Sequence, residues 1–177
     1  MKLFDVYPLY DVTPVRAKDV YVYDENGTEY LDLYGGHAVI SIGHGHPRYL
    51  ERLTQQMHQI GFYSNAIHNP LQQELANAIG EHSCCHDYQL FLCSSGAEAN
   101  ENALKLASFH TSQARIIAFD HAFHGRTSAA VAATDNPSIN APLNQQQKVT
   151  FLPSNAEMAL ENKFKKEDKE KEECLRG

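Results

Sequence analysis

Residues 88–108 read Tyr88-Gln89-Leu90-Phe91-Leu92-Cys93-Ser94-Ser95-Gly96-Ala97-Glu98-Ala99-Asn100-Glu101-Asn102-Ala103-Leu104-Lys105-Leu106-Ala107-Ser108, and this stretch decides the fold. Tyr88 to Cys93 is an apolar run bounded by turn residues, which predicts a buried strand. Ser94 to Ala97 are small turn residues. Glu98 through Ser108 is rich in Ala and Leu, which favour helix. A strand that turns through small residues into a helix is the opening of an α/β unit. Such a turn also leaves the first backbone N–H groups of the helix without intrahelical partners, and with the helix dipole they make a phosphate site. The dipole contributes only about 0.3–1 kcal/mol at an exposed terminus. The hydrogen bonds of Ser95, Gly96 and Ala97 therefore have to supply most of the grip. An ordinary strand-to-helix turn with a serine cap fits the same residues.

The pattern continues downstream. Arg115 to Phe119 predicts a short strand, Ser128 to Ala133 is Ala-rich, and Lys148 to Leu152 predicts another strand. Strands alternating with helices give an α/β architecture with a parallel sheet. His121-Ala122-Phe123-His124-Gly125-Arg126-Thr127 follows directly on a strand, where parallel sheets bind their ligands. Phe123 offers a flat face to a planar ring, and Arg126 a two-pronged fork to a carboxylate. A core aromatic and a surface arginine would look the same. His121 and His124, three apart, lack a third ligand at suitable spacing, so no metal is expected.

Upstream, Val20 to Tyr23 and Thr28 to Leu33 are β-rich runs flanking Asp24-Glu25-Asn26-Gly27, a hairpin signal because Asn and Gly tolerate positive φ. After Gly35-Gly36-His37 comes Gly43-His44-Gly45-His46-Pro47, which reads as a glycine-rich helix entry more readily than as a metal or acid–base pair. Leu50, Leu53, Met57 and Ile60 predict a helix from about Pro47 to Gln59. Asn69-Pro70 opens a second helix with Leu71, Leu75 and Ile79 on one face. Ser64-Asn65 suits either a ligand loop or a cap.

Composition narrows the function classes. The chain has 177 residues, 42% hydrophobic and 21% charged, with a formal net charge of -7. An acidic balance argues against a nucleic-acid partner, since phosphate contacts need a basic footprint. No stretch approaches the roughly 20 apolar residues of a membrane span, and the first residues lack a secretion-signal pattern. The cysteines, Cys84, Cys85, Cys93 and Cys174, suit reduced thiols and a cytoplasmic address. Residues 161–173 are so densely charged that they predict a solvated helix or a disordered end.

Four stretches in register carry a resemblance: Asp24-Glu25-Asn26-Gly27-Thr28-Glu29-Tyr30-Leu31-Asp32, Ile42 to Pro47, Ser95 to Ala107, and Phe119 to Thr127. From near residue 1 to about residue 153 the chain resembles the class III (ornithine-type) aminotransferases. The resemblance implies a partial fold-type-I architecture with an incomplete large domain. In it, residues 1–48 are an N-terminal hairpin segment of the small domain, 49–153 the first part of the large domain, and 154–177 a divergent charged tail. It implies pyridoxal 5′-phosphate as cofactor, with Ser95, Gly96 and Ala97 around its phosphate and Phe123 on its ring. Arg126 is then the partner of the substrate carboxylate. Amino acid and 2-oxo acid substrates and a homodimer follow from the same resemblance. His121 to Thr127 and Phe62-Tyr63-Ser64-Asn65 look most like the members acting on N-acetylornithine or N-succinylornithine in arginine metabolism. In the family the Schiff-base lysine and the acid paired with the ring nitrogen lie beyond residue 177. The chain is thus expected to be an N-terminal portion without turnover, and none of its residues is assigned a catalytic role. Another class III reaction (decarboxylation or an aminomutase step) and a non-catalytic phosphate-ligand-binding fragment are the alternatives.

Overall fold

A computed structural model describes residues 1–154. The charged run 161–173 and Cys174 lie outside the described residues. In chain order the elements are β1 (Pro14–Lys18), β2 (Tyr21–Asp24), β3 (Glu29–Leu31), α1 (Gly35–Ala38), α2 (Pro47–Gln59), α3 (Pro70–Ser83), α4 (Gly96–Thr111), β4 (Ile116–Phe119), α5 (Ser128–Ala132) and β5 (Val149–Leu152). Contacts divide the chain into two compact units, residues 1–73 and residues from 74 onward.

The first unit is built on an antiparallel sheet in the order β1-β2-β3. The expected hairpin is β2–β3, with Tyr21 opposite Leu31 and Tyr23 opposite Glu29. Its turn differs from expectation. Only Gly27 has positive φ (82°), and Asn26 does not. Asp24 organises the turn instead: its carboxylate accepts the N–H of Asn26 at 2.9 Å, the N–H of Thr28 at 2.8 Å and the Tyr30 hydroxyl at 3.0 Å. Burial pushes the Asp24 carboxyl up, but those three donors together hold it below the ordinary range. Strand β1 was not expected from the residue pattern. It forms by pairing Lys18 with Tyr21 and Arg16 with Tyr23, and the Arg16 guanidinium lies 3.6 Å from the centre of the Tyr23 ring.

The glycine-histidine stretches serve this unit's scaffold. Gly35, Gly36, His37 and Ala38 all have φ between 56° and 62°, so α1 is a left-handed turn. Asp32 anchors its entry, accepting the N–H of Tyr34 and of Gly35 at 3.0 and 2.8 Å. The other oxygen of Asp32 lies 2.7 Å from the His44 ring nitrogen, and this bond, with the Gly35 amide, holds the Asp32 carboxyl low. The His44 backbone pairs with Asp19 on both sides, at 2.9 and 2.7 Å. A side chain on Gly43 would come within 3.1 Å of the Asp19 carbonyl, and φ there is +84°. His44 and Gly43 therefore fasten the sheet to the chain that enters α2. Pro47 opens α2 as expected, but Leu50, Leu53 and Met57 remain exposed.

In the second unit β4 and β5 are parallel, Ile116 opposite Val149 and Phe119 opposite Leu152. Parallel neighbours need a crossover, and residues 120–148 supply it, including α5. Ala118, Leu152, the α5 residues Ala130, Val131 and Ala132, and its C-cap Ala133 are buried. One expectation fails. Tyr88–Cys93 is not a strand, and Leu90, Phe91 and Leu92 stay 41%, 66% and 44% exposed. Apolar composition suits a ladder but does not create one. Among the described residues β4 pairs only with β5, which leaves residues 88–93 no neighbour.

Candidate functional site

Helix α4 opens at Gly96, two residues before the expected Glu98. Ser95 is the N-cap in extended conformation (φ -153°, ψ 160°), and its hydroxyl accepts the Glu98 N–H at 3.2 Å. Glu98 reaches back to the Ser94 N–H at 2.7 Å. This is a capping box displaced by one residue, since the usual return bond goes to the N-cap itself. The displacement matters. It leaves the Ser95 N–H, along with the first helical amides of Gly96 and Ala97, without an acceptor among the described residues. Three adjacent donors stand at the positive end of a 16-residue helix. A Cβ added at Gly96 would meet nothing within 4 Å.

The crossover loop is seated on that helix start. Gly125 has φ +136°, and a Cβ there would lie 2.7 Å from the Ala97 Cβ and 3.2 Å from the Ala130 Cβ. Carbon atoms pack at about 3.5–4.0 Å, so only glycine fits. On one side of the contact the Asn100 side-chain amide donates to the His124 carbonyl at 2.7 Å. On the other, the buried Thr134 hydroxyl is shared between the carbonyls of Gly125 (3.2 Å) and Ala130 (3.0 Å), and it accepts the His124 N–H at 2.9 Å. Asp135 closes the far end, accepting the His121 N–H at 2.8 Å and donating its own N–H to the Ala122 carbonyl at 3.1 Å.

Phe123 lies on this loop with 67% of its surface exposed. One residue, His124, separates it from Gly125, so its Cα is within about 7.6 Å of the glycine that touches Ala97. Arg126 follows Gly125 and its side chain is exposed. The structure therefore brings Ser95, Gly96, Ala97, Phe123 and Arg126 to one end of α4. Sequence reasoning missed Asn100, Glu101, Gly125 and Thr134, which hold them there. Glu101 accepts the Ala129 N–H at 2.9 Å, the Ala130 N–H at 3.0 Å and the Thr127 hydroxyl at 2.8 Å. Partial burial pushes its carboxyl up, yet these donors and the nearby Lys105 charge hold it below the ordinary value. Among the described residues no three His, Cys, Asp or Glu side chains converge as metal ligands.

Unbonded amides at a helix start suit a phosphate monoester, and the Glu98 carboxylate beside them is turned to the Ser94 N–H. An exposed aromatic on a fixed loop beside them suits a flat ring attached to that phosphate. The chain's own donor set thus fits a phosphorylated aromatic cofactor.

Comparison with known proteins agrees. The sequence pattern of the class-III aminotransferase family matches residues 6–176. An acetylornithine aminotransferase from Bacillus amyloliquefaciens is 42% identical over 137 residues, covering 77% of this chain and 59% of that protein. One from Halalkalibacterium halodurans is 40% identical over 137 residues, covering 77% of this chain and 35% of its own length. The chain thus spans only part of these relatives. Among solved structures, the ornithine aminotransferase of Toxoplasma gondii superposes with a TM-score of 0.81 at 25% identity, over 92% of this chain and 40% of that one. A taurine:2-oxoglutarate aminotransferase from Bifidobacterium kashiwanohense, solved with PLP and glutamate, shares the fold at a TM-score of 0.74 and 22% identity. With the fold, the helix start and the family pattern in agreement, the chain belongs to the class-III aminotransferases, a pyridoxal-phosphate-dependent family.

Proposed function

We propose that residues 94–127 bind pyridoxal 5′-phosphate, with the amides of Ser95, Gly96 and Ala97 on its phosphate and Phe123 against its ring. Arg126 takes the α-carboxylate of the amino acid or 2-oxo acid. The whole protein moves an amino group from N-acetylornithine or N-succinylornithine to 2-oxoglutarate in arginine metabolism, as a cytoplasmic homodimer. In this reading residues 1–48 belong to the small domain and 49–153 to the large one. The substrate assignment draws on the names of the relatives; the binding assignment draws on the three unbonded amides. That last observation carries the proposal, because a helix start closed by internal hydrogen bonds would have nothing left to offer a phosphate.

The cofactor, once bound, serves as an electron sink for the substrate's α-carbon. The chain's own residues then bind and orient. Ser95 to Ala97 fix the phosphate end with preformed donors, so little reorganisation accompanies binding. Phe123 sets the tilt of the ring and excludes water from one face. Arg126 holds the substrate carboxylate in two-pronged fashion, which orients the α-carbon. No residue of this chain is assigned the proton transfers, and the 177 residues alone are expected to bind without turning over.

Calorimetric titration with pyridoxamine 5′-phosphate and with pyridoxamine tests the binding half. Neither probe can form an imine with a lysine amine, so the difference reads the phosphate contact alone. The phosphorylated probe is expected to bind at least about ten-fold tighter, the equivalent of one or two charge-assisted hydrogen bonds. Equal affinities would contradict the proposal.

A further inference from the structure

We propose that Glu101 is a positioning residue of the cofactor site: its carboxylate fixes where the loop bearing Phe123 and Arg126 stands relative to the amides of Ser95, Gly96 and Ala97. The proposal rests on the binding site described above and assigns a role to a residue that touches neither cofactor nor substrate in that reading.

Glu101 sits on α4 five residues beyond Gly96, about 7.5 Å along the axis. Its carboxylate leaves the helix sideways and accepts from two successive amides at the start of α5, Ala129 at 2.9 Å and Ala130 at 3.0 Å. It also accepts from the Thr127 hydroxyl at 2.8 Å, and Thr127 is the last residue of the loop and the N-cap of α5. The Thr127 side chain makes no cap bond within its own helix. A side chain of α4 therefore does the capping that α5 does not do for itself. One rigid helix thereby sets two things: its own start carries the phosphate donors, and its Glu101 pins the end of the ring-bearing loop. Asn100, one residue earlier, pins the middle of the same loop through the His124 carbonyl at 2.7 Å. The Gly125–Ala97 contact closes the triangle.

Charge alone would act in the opposite sense. A carboxylate near a phosphate site repels a dianion, so neutralising Glu101 should by itself leave phosphate binding unchanged or slightly tighter. Positioning predicts weaker binding of a ligand that needs the loop as well. The two effects differ in sign, which makes them separable.

The natural chain has no tryptophan, so Phe123→Trp gives a reporter whose emission is quenched by a ring stacked on it. In that background Glu101→Gln keeps the shape and removes the charge and one strong acceptor. Pyridoxamine 5′-phosphate is expected to bind about ten-fold more weakly to Glu101→Gln, with a smaller maximal quench. Inorganic phosphate, followed by its phosphorus line width, is expected to bind equally or up to about two-fold tighter, with the helix dichroism retained. Unchanged affinity and quench for pyridoxamine 5′-phosphate, with inorganic phosphate still bound, would overturn the role of Glu101. Failure of either chain to bind inorganic phosphate would overturn the underlying site instead. Should Glu101→Gln lose its helix signal, Thr127→Val is read in its place, since it deletes a single bond to the carboxylate. There a weakening of about three-fold supports the role, and none at all refutes it.

Discussion

Gly125→Ala is the substitution that separates a seated loop from a loosely tethered one. In place, the new Cβ would lie 2.7 Å from the Ala97 Cβ and 2.9 Å from its Cα. Overpacking of this kind costs about 1–3 kcal/mol. The backbone at φ +136° adds about 1–3 kcal/mol for a residue with a side chain. Staying seated therefore costs about 2–6 kcal/mol. Lifting residues 123–125 off α4 and away from Thr134 gives up three hydrogen bonds, Asn100 to the His124 carbonyl, Thr134 to the Gly125 carbonyl and the His124 N–H to Thr134. At about 1 kcal/mol each that is about 3 kcal/mol. Lifting is the cheaper response over most of the range, so the loop should move while α4 and its amides stay. The ligand then loses the ring contact, about 0.5–1.5 kcal/mol, and keeps the phosphate contact. Affinity for pyridoxamine 5′-phosphate, measured by calorimetry, should fall by about three- to ten-fold, and the amides of His124 and Gly125 should exchange hydrogen faster. Unchanged affinity together with unchanged exchange would mean that the Ala97–Gly125 contact does not hold the ring-bearing loop, and the reasoning would fail.

Two further outcomes follow from the same geometry. In the transaminating protein, Arg126→Ala should raise the KM for the amino donor more than about ten-fold while cofactor affinity changes less than about three-fold; parallel losses in both would remove its carboxylate role. The pH response follows from Glu101, whose folded carboxyl is held below its ordinary value of 4.5. Its contribution to seating the loop and α5 is therefore complete above about pH 4.5 and is lost as pH falls through the depressed folded value. The groups facing it are the Thr127 hydroxyl, the amides of Ala129 and Ala130, and Lys105. Exchange of the Ala129 and Ala130 amides should accelerate at that acid edge, and in Glu101→Gln the edge should vanish; an edge that survives the substitution would assign it to another carboxylate.

Much of this arrangement was legible in the residues because its causes are local. A run of small residues before Ala- and Leu-rich sequence marks the start of α4, and that start lies within two residues of the expected place. The short apolar runs at β4 and β5 and the proline opening α2 were equally plain. What escaped depends on partners distant in sequence. Tyr88–Cys93 has the composition of a strand, but pairing is a property of two segments, and no described strand meets it. Pro14–Lys18 lacks an obvious β pattern and forms because Arg16 and Lys18 face Tyr23 and Tyr21. At the hairpin, Asn26-Gly27 suggested positive φ at both residues, whereas only Gly27 adopts it and the Asp24 carboxylate sets the turn by gathering three donors. Gly125 looked like any loop glycine until Ala97, 28 residues earlier, came against it. Glu101 likewise reads as an ordinary helix surface residue, since nothing nearby in sequence shows that α5 lacks a cap of its own.

The central claim is that the backbone amides at the start of α4 hold a phosphate. Amide resonances of Ser95, Gly96 and Ala97, followed in an isotope-labelled chain, test it most directly. Adding pyridoxamine 5′-phosphate should shift all three downfield together as they gain a charged acceptor, and pyridoxamine at the same concentration should leave them in place. Shifts of equal size with both compounds, or none with either, would contradict the account.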